Sequence, residues 1–348
     1  MSTQPELPGI DPGAVTRWIL AEVPDAAAPL AFSFLAGGRS NLTYRVTDAL
    51  GAAWVLRRPP TGEVLATAHD MGREYRFLTA LRSTAVPVAE PVALCEDAAV
   101  TGAPFYLMGF VEGTVLATEQ DGLSLPLSAR PAAADSIVDT LVELHAVDPI
   151  AVGLGSLARP GSFLERQLRR WHRQIHATGG DGEQLALLDE VHTRLVALLP
   201  PSAGTVIAHG DYRAGNLAVD RTGQVRGVFD WELATLGDAL ADLGWLMSAW
   251  SRPGDPDPPA TSTPSTAPGF PAADHLARRY AERSGRDIDA LPYYLAFARW
   301  RSACIWHGVT ARYRAGVMGD GLPVDPSRGP DLITGQARAA LANLTRFG

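Results

Sequence analysis

The chain has 348 residues, of which 46% are hydrophobic and 20% charged, and its formal net charge is −8. This is enough sequence for about two ordinary domains, and the composition is that of a globular protein rather than a disordered or fibrous one. The acidic balance argues against a general nucleic-acid binder, which would need a net basic face. Cys95 and Cys304 lie far apart in sequence, which excludes a disulfide framework or a thiolate metal cluster.

The basic residues carry a further restriction. All 30 of them are arginine, because the sequence contains no lysine. This excludes the Walker-A phosphate loop, which needs G-K-[ST], and every Schiff-base mechanism. No stretch approaches ~18 uncharged apolar residues, and MSTQPELPGI lacks a basic-then-apolar leader, so we expect a cytoplasmic protein with no membrane partner. The sequence indicates no oligomeric state.

The first third of the chain has the pattern of a small sheet. Residues 11–23 predict an opening helix capped by Asp11, and a second helix is predicted over 68–82. Short runs rich in β-branched and aromatic residues predict strands at 31–37, 42–47, 52–58, 91–97 and 104–111. We therefore expect a small, mostly antiparallel sheet with one helix packed on it.

From about residue 130 the pattern becomes helical. Helices are predicted over 132–147, 163–177 and 183–199, followed by a strand at 205–210 and a hairpin over 216–231. The Pro-, Ser- and Thr-rich segment 252–271 predicts a surface loop, either ordered or mobile, because such a composition cannot form a packed element. The fold class is therefore α+β, with a sheet-containing region over residues 1–108 and a larger, mostly helical region over 109–348.

The residues that carry chemistry are concentrated between 209 and 230. His209-Gly210-Asp211 is followed by four residues and Asn216, and Asp230 comes fourteen residues later in VFDW. This pattern suits phosphoryl transfer, in which the protein mainly positions groups and neutralises charge. Asp211 would accept the proton of an attacking hydroxyl, while the oxygens of Asn216 and Asp230 would hold Mg²⁺. His209 would anchor the loop.

These residues resemble the protein-kinase pattern H-R-D-x-x-x-x-N followed by D-F-G, with Gly in place of Arg and Asp-Trp-Glu in place of Asp-Phe-Gly. HGDYRAGNL, GVFDWELATLGDALADLGWL and GGRSNLTYRV are more closely similar to the aminoglycoside phosphotransferase family, in the branch of kinase-like domains fused to acyl-CoA dehydrogenases. The resemblance implies a protein-kinase-like two-lobe fold with an antiparallel-sheet N-lobe and a helical C-lobe. It also implies ATP and Mg²⁺ as cofactors, with GTP left open.

The resemblance places a nucleotide clamp in the N-lobe. Gly37, Gly38, Ser40 and Asn41 lie between two predicted strands, where glycine lets the backbone approach phosphates closely. The loop has fewer glycines than the protein-kinase loop, so Ser40 and Asn41 are expected to make the contact. A plain hairpin turn is the structural alternative.

Arg57 stands where the protein-kinase pattern has lysine, and Glu74 on the next helix is its expected ion-pair partner. Arginine keeps the charge and offers a two-pronged donor, although its reach differs from that of lysine. Arg58 is the alternative, but strand alternation would point it to the opposite face. If neither arginine serves, activity would be low or absent.

FYLMGFVEG is similar to the strand that leads into the kinase hinge. Backbone groups near Met108 and Phe110 are then expected to bind adenine, with apolar side chains sandwiching the base. The same side chains would equally suit a plain core. In related folds the later aspartate, here Asp242, braces the catalytic loop, so we assign Asp242 and Asp238 structural roles in place of metal ligation.

The acceptor of the phosphate is indicated only by charge. Helix 159–176 carries five arginines, which would suit an anionic acceptor such as a hydroxyacyl-CoA if that face borders the cleft; a solvated basic helix is the alternative. They are Arg159, Arg166, Arg169, Arg170 and Arg173. An aminoglycoside acceptor and a catalytically weak nucleotide-binding pseudokinase remain the other hypotheses. A serine hydrolase is excluded because no G-x-S-x-G elbow is present.

Overall fold

The structure, a computed structural model, describes residues 7–35, 41–61, 70–202, 204–255, 259, 261–316 and 326–347. The chain forms two compact units. The first comprises Met1–Glu112 with Arg226–Ala234, and the second comprises Gly113–Val225 with Thr235–Gly348. Among the described residues, no helix is long and apolar enough to cross a membrane.

The first unit contains a sheet of five strands in the order β1-β2-β3-β5-β4, and every neighbouring pair is antiparallel. This confirms the small antiparallel sheet that the sequence predicts. The elements are α1 Pro12–Glu22, β1 Ala31–Phe34, β2 Leu42–Thr47, β3 Ala53–Arg58, α2 Met71–Leu81, β4 Pro91–Cys95, α3 Ala98–Thr101 and β5 Phe105–Gly109.

The core of this unit forms where α1 covers one face of the sheet. Val15 and Ile19 of α1 are fully buried against Tyr44 and Leu56 of the sheet. The ring of Trp18 packs edge-on against Phe105, with 4.7 Å between the ring centroids. Burial of these apolar side chains stabilises the sheet that carries Arg57.

Helix α2 presents one charged residue on its buried side. The Asp70 carboxylate accepts a hydrogen bond from the Arg73 N–H and so caps the start of the helix. Phe77, Leu78 and Leu81 are buried, and Glu74 is buried with them at 1% exposure. A carboxylate at such a position requires partners, because an unpaired buried charge is costly.

The second unit is mostly helical, as the sequence predicts, with short strands at 205–208 and 235–238 that pair antiparallel. The boundary between the units falls inside the strand over 225–228, so the residues from Arg226 to Ala234 belong to the first unit. The elements are β6 Thr114–Val115, α4 Glu119–Ser124, α5 Ala129–Ala146, α6 Phe163–Thr178, α7 Gly182–Ala197, β7 Thr205–Ala208, β8 Leu217–Val219, β9 Val225–Val228, β10 Thr235–Asp238, α8 Ala239–Ser248, α9 Ala273–Ser284, α10 Leu291–Arg314 and α11 Gly329–Phe347.

The Pro-rich segment 252–271 departs from the prediction of a surface loop. In its second half Thr263, Ser265 and Phe270 are buried. The Ser265 hydroxyl accepts from the Ser251 N–H at 3.0 Å and donates to the Ser251 carbonyl at 2.8 Å. Because short polar side chains satisfy the backbone groups here, a segment without a long helix or strand still packs.

Candidate functional site

The loop that follows β7 holds the H-G-D sequence in the second unit. The Asp242 carboxylate, in the first turn of α8, accepts hydrogen bonds from the backbone N–H groups of His209 at 2.6 Å and Gly210 at 2.8 Å. This is the loop-bracing contact that the sequence predicts for Asp242. Gly210 has a φ of 79°, in the left-handed region that favours glycine. That backbone conformation gives a physical reason for Gly in place of the kinase Arg.

Asp242 is itself held in a buried polar chain. Its carboxylate contacts Nε2 of His145 at 3.4 Å, and Nδ1 of the same ring lies 2.8 Å from the Tyr280 hydroxyl. Burial alone would raise the pKa of Asp242, but the hydrogen bond and charge of His145 and the Gly210 N–H hold it below its usual value. Asp242 therefore stays ionised and acts as a fixed acceptor for the loop.

His209 occupies the position of the predicted loop anchor. Its side chain is fully buried, and Nδ1 accepts a hydrogen bond from the Asp211 N–H at 3.2 Å. The hydroxyl of Tyr212, three residues after His209, donates to the Ile137 carbonyl of α5 at 2.8 Å. The backbone on both sides of Asp211 is therefore tied to buried elements.

The Asp211 carboxylate is oriented by neutral donors. Trp245 Nε1–H donates to Oδ1 at 2.6 Å, and Asn216 Nδ2–H₂ donates to Oδ2 at 2.9 Å and to the Asp211 carbonyl at 2.8 Å. Arg213 Nε lies 3.5 Å from Oδ2. The side chain of Asp211 is 18% exposed, so it is held in one orientation and still reached by solvent. This is the geometry that a proton acceptor needs.

Asn216 fits the role of an oxygen ligand. The amide nitrogen of Asn216 donates both hydrogen bonds to Asp211. The amide oxygen of Asn216 is therefore not used by these two bonds. A neutral carbonyl oxygen is one of the donors that Mg²⁺ accepts. The chemistry of this donor is therefore consistent with the predicted metal site.

Arg301 of α10 is a residue of this region that the sequence did not reveal. It donates to the Gly210 carbonyl at 2.7 Å, and its guanidinium lies 4.2 Å from the Trp245 ring centroid. Burial lowers the pKa of Arg301, while the charges of Asp211 and Asp242 oppose that shift. Trp245 was also missed, although its position three residues after Asp242 on one helix places the two side chains on the same face.

In the first unit, Arg57 forms the centre of an ion network. Its Nε–H donates to Glu74 Oε2 at 2.9 Å, and its Nη2 donates to Asp230 Oδ1. The Tyr106 hydroxyl donates to the same Glu74 oxygen at 2.9 Å. The ion pair between Arg57 and Glu74 that the resemblance implies is therefore present. Arginine also reaches a second carboxylate, which follows from its forked donor geometry.

The surroundings raise the pKa values of both Glu74 and Arg57, which disfavours the charged form of the acid and favours that of the base. Burial raises the pKa of Glu74, although the charge of Arg57 and the hydrogen bond from Tyr106 pull it down. Burial would lower the pKa of Arg57, but Tyr106, Glu74 and Asp230 raise it overall, so the guanidinium stays charged. Arg58 lies on the other side of the strand and donates to the Pro59 and Thr101 carbonyls, as alternation predicts.

Asp230 has the one positive φ of the described residues other than glycine, at 67°. Aspartate tolerates the left-handed region better than most residues, at a cost of order 1 kcal/mol. Trp231 secures the turn, since its ring stacks on Phe77 of α2 and its Nε1–H donates to the Val228 carbonyl at 3.0 Å. The Asp230 side chain is 25% exposed. Its carboxylate is a hard oxygen donor that fits Mg²⁺.

The predicted nucleotide loop is described only at its last residue. Gly37, Gly38 and Ser40 lie outside the described residues. Asn41 is fully buried, and its Nδ2 lies 3.1 Å from Glu74 Oε1 and 3.3 Å from Glu232 Oε2. Asn41 therefore serves the Glu74 network in this structure, and its contact with phosphate stays a prediction.

At the predicted hinge, two backbone N–H groups already donate hydrogen bonds to other residues of the first unit. The Phe110 N–H donates to the Ala53 carbonyl at 3.2 Å, and the Gly109 N–H donates to the Glu90 carbonyl at 2.8 Å. Met108 is buried within β5. These two N–H groups are engaged before any base binds, so adenine recognition by Met108 and Phe110 stays a prediction.

Helix α6 borders a groove of about 620 Å³. Because α6 begins at Phe163, Arg159 lies before the helix and not on it as predicted. All five arginines singled out in the sequence line the groove, together with His172 and His192, and its ten lining residues, all in the described part of the second unit, include no carboxylate. Burial and the charges of Arg159 and Arg169 lower the pKa of Arg166. Like charges therefore line the same concave surface, which favours an anion.

The sequence profile described as "Phosphotransferase enzyme family" matches residues 31–291. The chain is 33% identical to acyl-CoA dehydrogenase family member 10 of Mus musculus over 288 residues, covering 80% of this chain and 26% of that protein. It is 31% identical to acyl-CoA dehydrogenase family member 11 of Gallus gallus, covering 88% of this chain and 40% of that protein. The chain thus spans well under half the length of these relatives.

Two solved structures extend the comparison. A structure described as a putative aminoglycoside phosphotransferase from Ralstonia eutropha is 31% identical, with a TM-score of 0.79 over 95% of this chain and 98% of that one. Choline kinase of Cryptosporidium parvum is 12% identical, with a TM-score of 0.67 over 97% of this chain and 96% of that one. These similarities confirm the kinase-like α+β fold class that the motif resemblance implies.

Proposed function

Because the chain belongs to the phosphotransferase enzyme family, we propose that it transfers the γ-phosphoryl group of ATP to a hydroxyl of an anionic small molecule. The enzyme class follows from the family, and the acceptor class rests on one observation. That observation is the groove lined by five arginines. A phosphate- or CoA-bearing hydroxy acid supplies the negative charge that such a groove favours.

Asp211 is the proposed proton acceptor. Trp245 and Asn216 fix its carboxylate by donated hydrogen bonds, and the backbone ties to Asp242 and His209 keep the loop in place. As the acceptor hydroxyl attacks phosphorus, its proton passes to the Asp211 carboxylate, and the bond from phosphorus to the leaving oxygen of the nucleotide breaks. Fixed orientation lowers the entropic cost of that step.

Asn216 and Asp230 are the proposed ligands of Mg²⁺, and Arg57 is the proposed contact to the nucleotide phosphates. When bound, Mg²⁺ would neutralise part of the negative charge on the nucleotide phosphates. Arg57 keeps its charge inside the network with Glu74, so it can offer donors to an anion without a change of protonation. Gly37, Gly38 and Ser40 complete the proposed nucleotide contacts, together with backbone groups near Met108 and Phe110.

The similarity to acyl-CoA dehydrogenase family members indicates which anionic acceptor to test first. Members 10 and 11 of the acyl-CoA dehydrogenase family carry a region similar to this chain. A hydroxyacyl-CoA carries several phosphate charges and a free hydroxyl, so it combines the two features that the groove and the reaction require. We propose it as the first acceptor to test.

An aminoglycoside is the second candidate, and one observation favours it. The structure with a TM-score of 0.79 is described as a putative aminoglycoside phosphotransferase. Aminoglycosides carry several ammonium groups, however, and the arginines of the groove would repel them. A pseudokinase role is the third candidate and would show nucleotide binding without turnover.

Acceptor-dependent ADP formation tests these candidates directly. Purified protein is incubated with ATP and Mg²⁺ and one of three acceptors. These are a hydroxyacyl-CoA, the matched acyl-CoA without the hydroxyl on its acyl chain, and kanamycin. We expect ADP formation with the hydroxyacyl-CoA alone, and a parallel series with GTP settles the nucleotide. Turnover of kanamycin would contradict the acceptor class, and nucleotide binding without turnover of any acceptor would favour the pseudokinase.

A further inference from the structure

A cluster of histidines and one carboxylate lies between α6 and α7, beside the arginine-lined groove, which His172 also lines. His172 and His176 are four residues apart on α6 and therefore share one helix face. Asp189 faces them from α7. We propose that His172, His176 and Asp189 bind a zinc-class divalent cation, which links the two helices.

The distances among the three ligand atoms carry this proposal. Nε2 of His172 lies 3.0 Å from Oδ1 of Asp189, and Nε2 of His176 lies 2.8 Å from the same oxygen. The two Nε2 atoms are 3.2 Å apart. Metal–ligand distances of about 2.0–2.1 Å in a tetrahedral site correspond to ligand–ligand edges of about 3.3 Å. The three atoms thus come close to one face of a zinc tetrahedron.

The chemistry of the three ligand atoms points the same way. Each Nε2 faces the same carboxylate oxygen and also the other Nε2. A divalent cation accepts both lone pairs and the carboxylate charge at once. Imidazole and carboxylate together are ligands that suit zinc.

The site is open on one side. The side chains of His172, His176 and Asp189 are 34%, 42% and 38% exposed. Three protein ligands with solvent access leave the fourth position for water or an anion, as in zinc sites that are not purely structural. Arg169 and Arg173 lie on the same helix, and their positive charge favours an anion as the fourth ligand.

His192 supports the arrangement from α7. Its ring stacks on that of His172, with centroids 4.0 Å apart and planes inclined by 17°, and so restricts the orientation of the ligand ring. Positioning of a metal-bound imidazole by neighbouring groups is a common feature of metal sites. The ring of His192 itself touches Trp300 of α10, so the cluster is anchored to the body of the second unit.

Metal binding by chelator-treated protein tests the proposal. The protein is titrated with Zn²⁺ in excess Mg²⁺, so that hard oxygen sites are already occupied, and binding is followed by competition with a colorimetric chelator. Co²⁺ provides a second probe, since tetrahedral coordination gives strong visible absorption. We expect one tightly bound ion per chain and a rise in melting temperature with Zn²⁺ concentration.

The variants His176→Gln and His172→Gln should weaken Zn²⁺ binding about tenfold or more and remove the Co²⁺ absorption. His275→Gln is the matched control, because His275 contacts a single carboxylate, Asp135, at 2.6 Å and has no second imidazole in that pair. It should bind Zn²⁺ as the wild type does. Absence of stoichiometric binding, or equal binding in all three variants, would overturn the proposal. The readout is independent of phosphate transfer, so the two proposals fail separately.

Discussion

The two units hold the carboxylates that we propose for proton transfer and metal binding by different means. In the second unit, Asp211 accepts from the neutral donors Trp245 and Asn216, and its loop is pinned by backbone bonds to Asp242. In the first unit, Asp230 pairs with the charged Arg57, which Glu74 also binds. The first arrangement depends mainly on hydrogen bonds from neutral donors, with Arg213 at 3.5 Å, whereas the second depends on one cation shared by two carboxylates. Removal of one group should therefore impair chemistry in one unit and stability in the other.

The largest effect is expected for Asp211→Asn. The amide keeps the size of the side chain but cannot accept the hydroxyl proton, so kcat should fall by about 10²–10⁴-fold. The melting temperature and nucleotide affinity should stay near the wild-type values, because the loop is held mainly through Asp242 and His209. Steady-state kinetics measure kcat, thermal unfolding gives the melting temperature, and equilibrium binding gives the nucleotide affinity. Normal turnover in this variant would show that Asp211 is not the base.

Arg57 provides the contrasting test in the first unit. Arg57→Ala leaves Glu74 buried without its cation, which should lower the free energy of unfolding by about 3–5 kcal/mol. Arg57→Lys keeps the charge but replaces the fork by a single ammonium, so it should lose less stability while still weakening nucleotide binding. Denaturant unfolding gives the free energies, with the exposed Arg338→Ala as control. If Arg57→Ala is as stable as Arg338→Ala, the network does not hold the unit together.

The groove arginines should affect acceptor binding with little effect on stability. Arg169 and Arg170 are exposed, so replacing either by alanine removes charge without opening a core. Loss of one charge-assisted hydrogen bond should raise the KM for a hydroxyacyl-CoA about tenfold to 100-fold while kcat changes little. Arg338→Ala is again the control. An unchanged KM in both groove variants would place the acceptor elsewhere.

The smallest effect is a difference in pH dependence between the two units. Asp242 has a lowered pKa, so the stability tied to its charge is complete above its usual 3.8 and is lost as the pH falls through the lowered value. Glu74 has a raised pKa, so the stability tied to its protonated form is complete below 4.5 and is lost as the pH rises through the raised value.

Denaturant unfolding between about pH 3 and 7 measures both contributions to the free energy of unfolding. A pKa difference of one unit between the folded and unfolded states corresponds to about 1.4 kcal/mol. The stability difference between wild type and Asp242→Asn should shrink as the pH falls. Wild type should lose stability relative to Glu74→Gln as the pH rises, because protonated Glu74 resembles the amide and ionised Glu74 does not. If the two differences follow the same trend, the proposed contrast between the units is wrong.

The sequence predicted those features that depend on local pattern. The strands of the sheet and the helices over 163–178 and 182–197 follow from periodicity, and the ion pair of Arg57 with Glu74 follows from the resemblance to the protein-kinase pattern. The contacts of Trp245 and Arg301 with the H-G-D loop did not follow, because they join elements distant in sequence. The burial of Ser265 in the Pro-rich segment also depends on a contact that composition does not encode.

We propose that the arginine-lined groove selects an anionic hydroxyl acceptor for phosphate transfer. A competition assay tests it most directly. A hydroxyacyl-CoA and kanamycin are mixed at equal concentration with ATP, Mg²⁺ and the wild-type protein, and mass spectrometry identifies the molecule that gains a phosphoryl group. We expect the hydroxyacyl-CoA to be phosphorylated and kanamycin to stay unmodified. Phosphorylated kanamycin beside unmodified hydroxyacyl-CoA would contradict the claim.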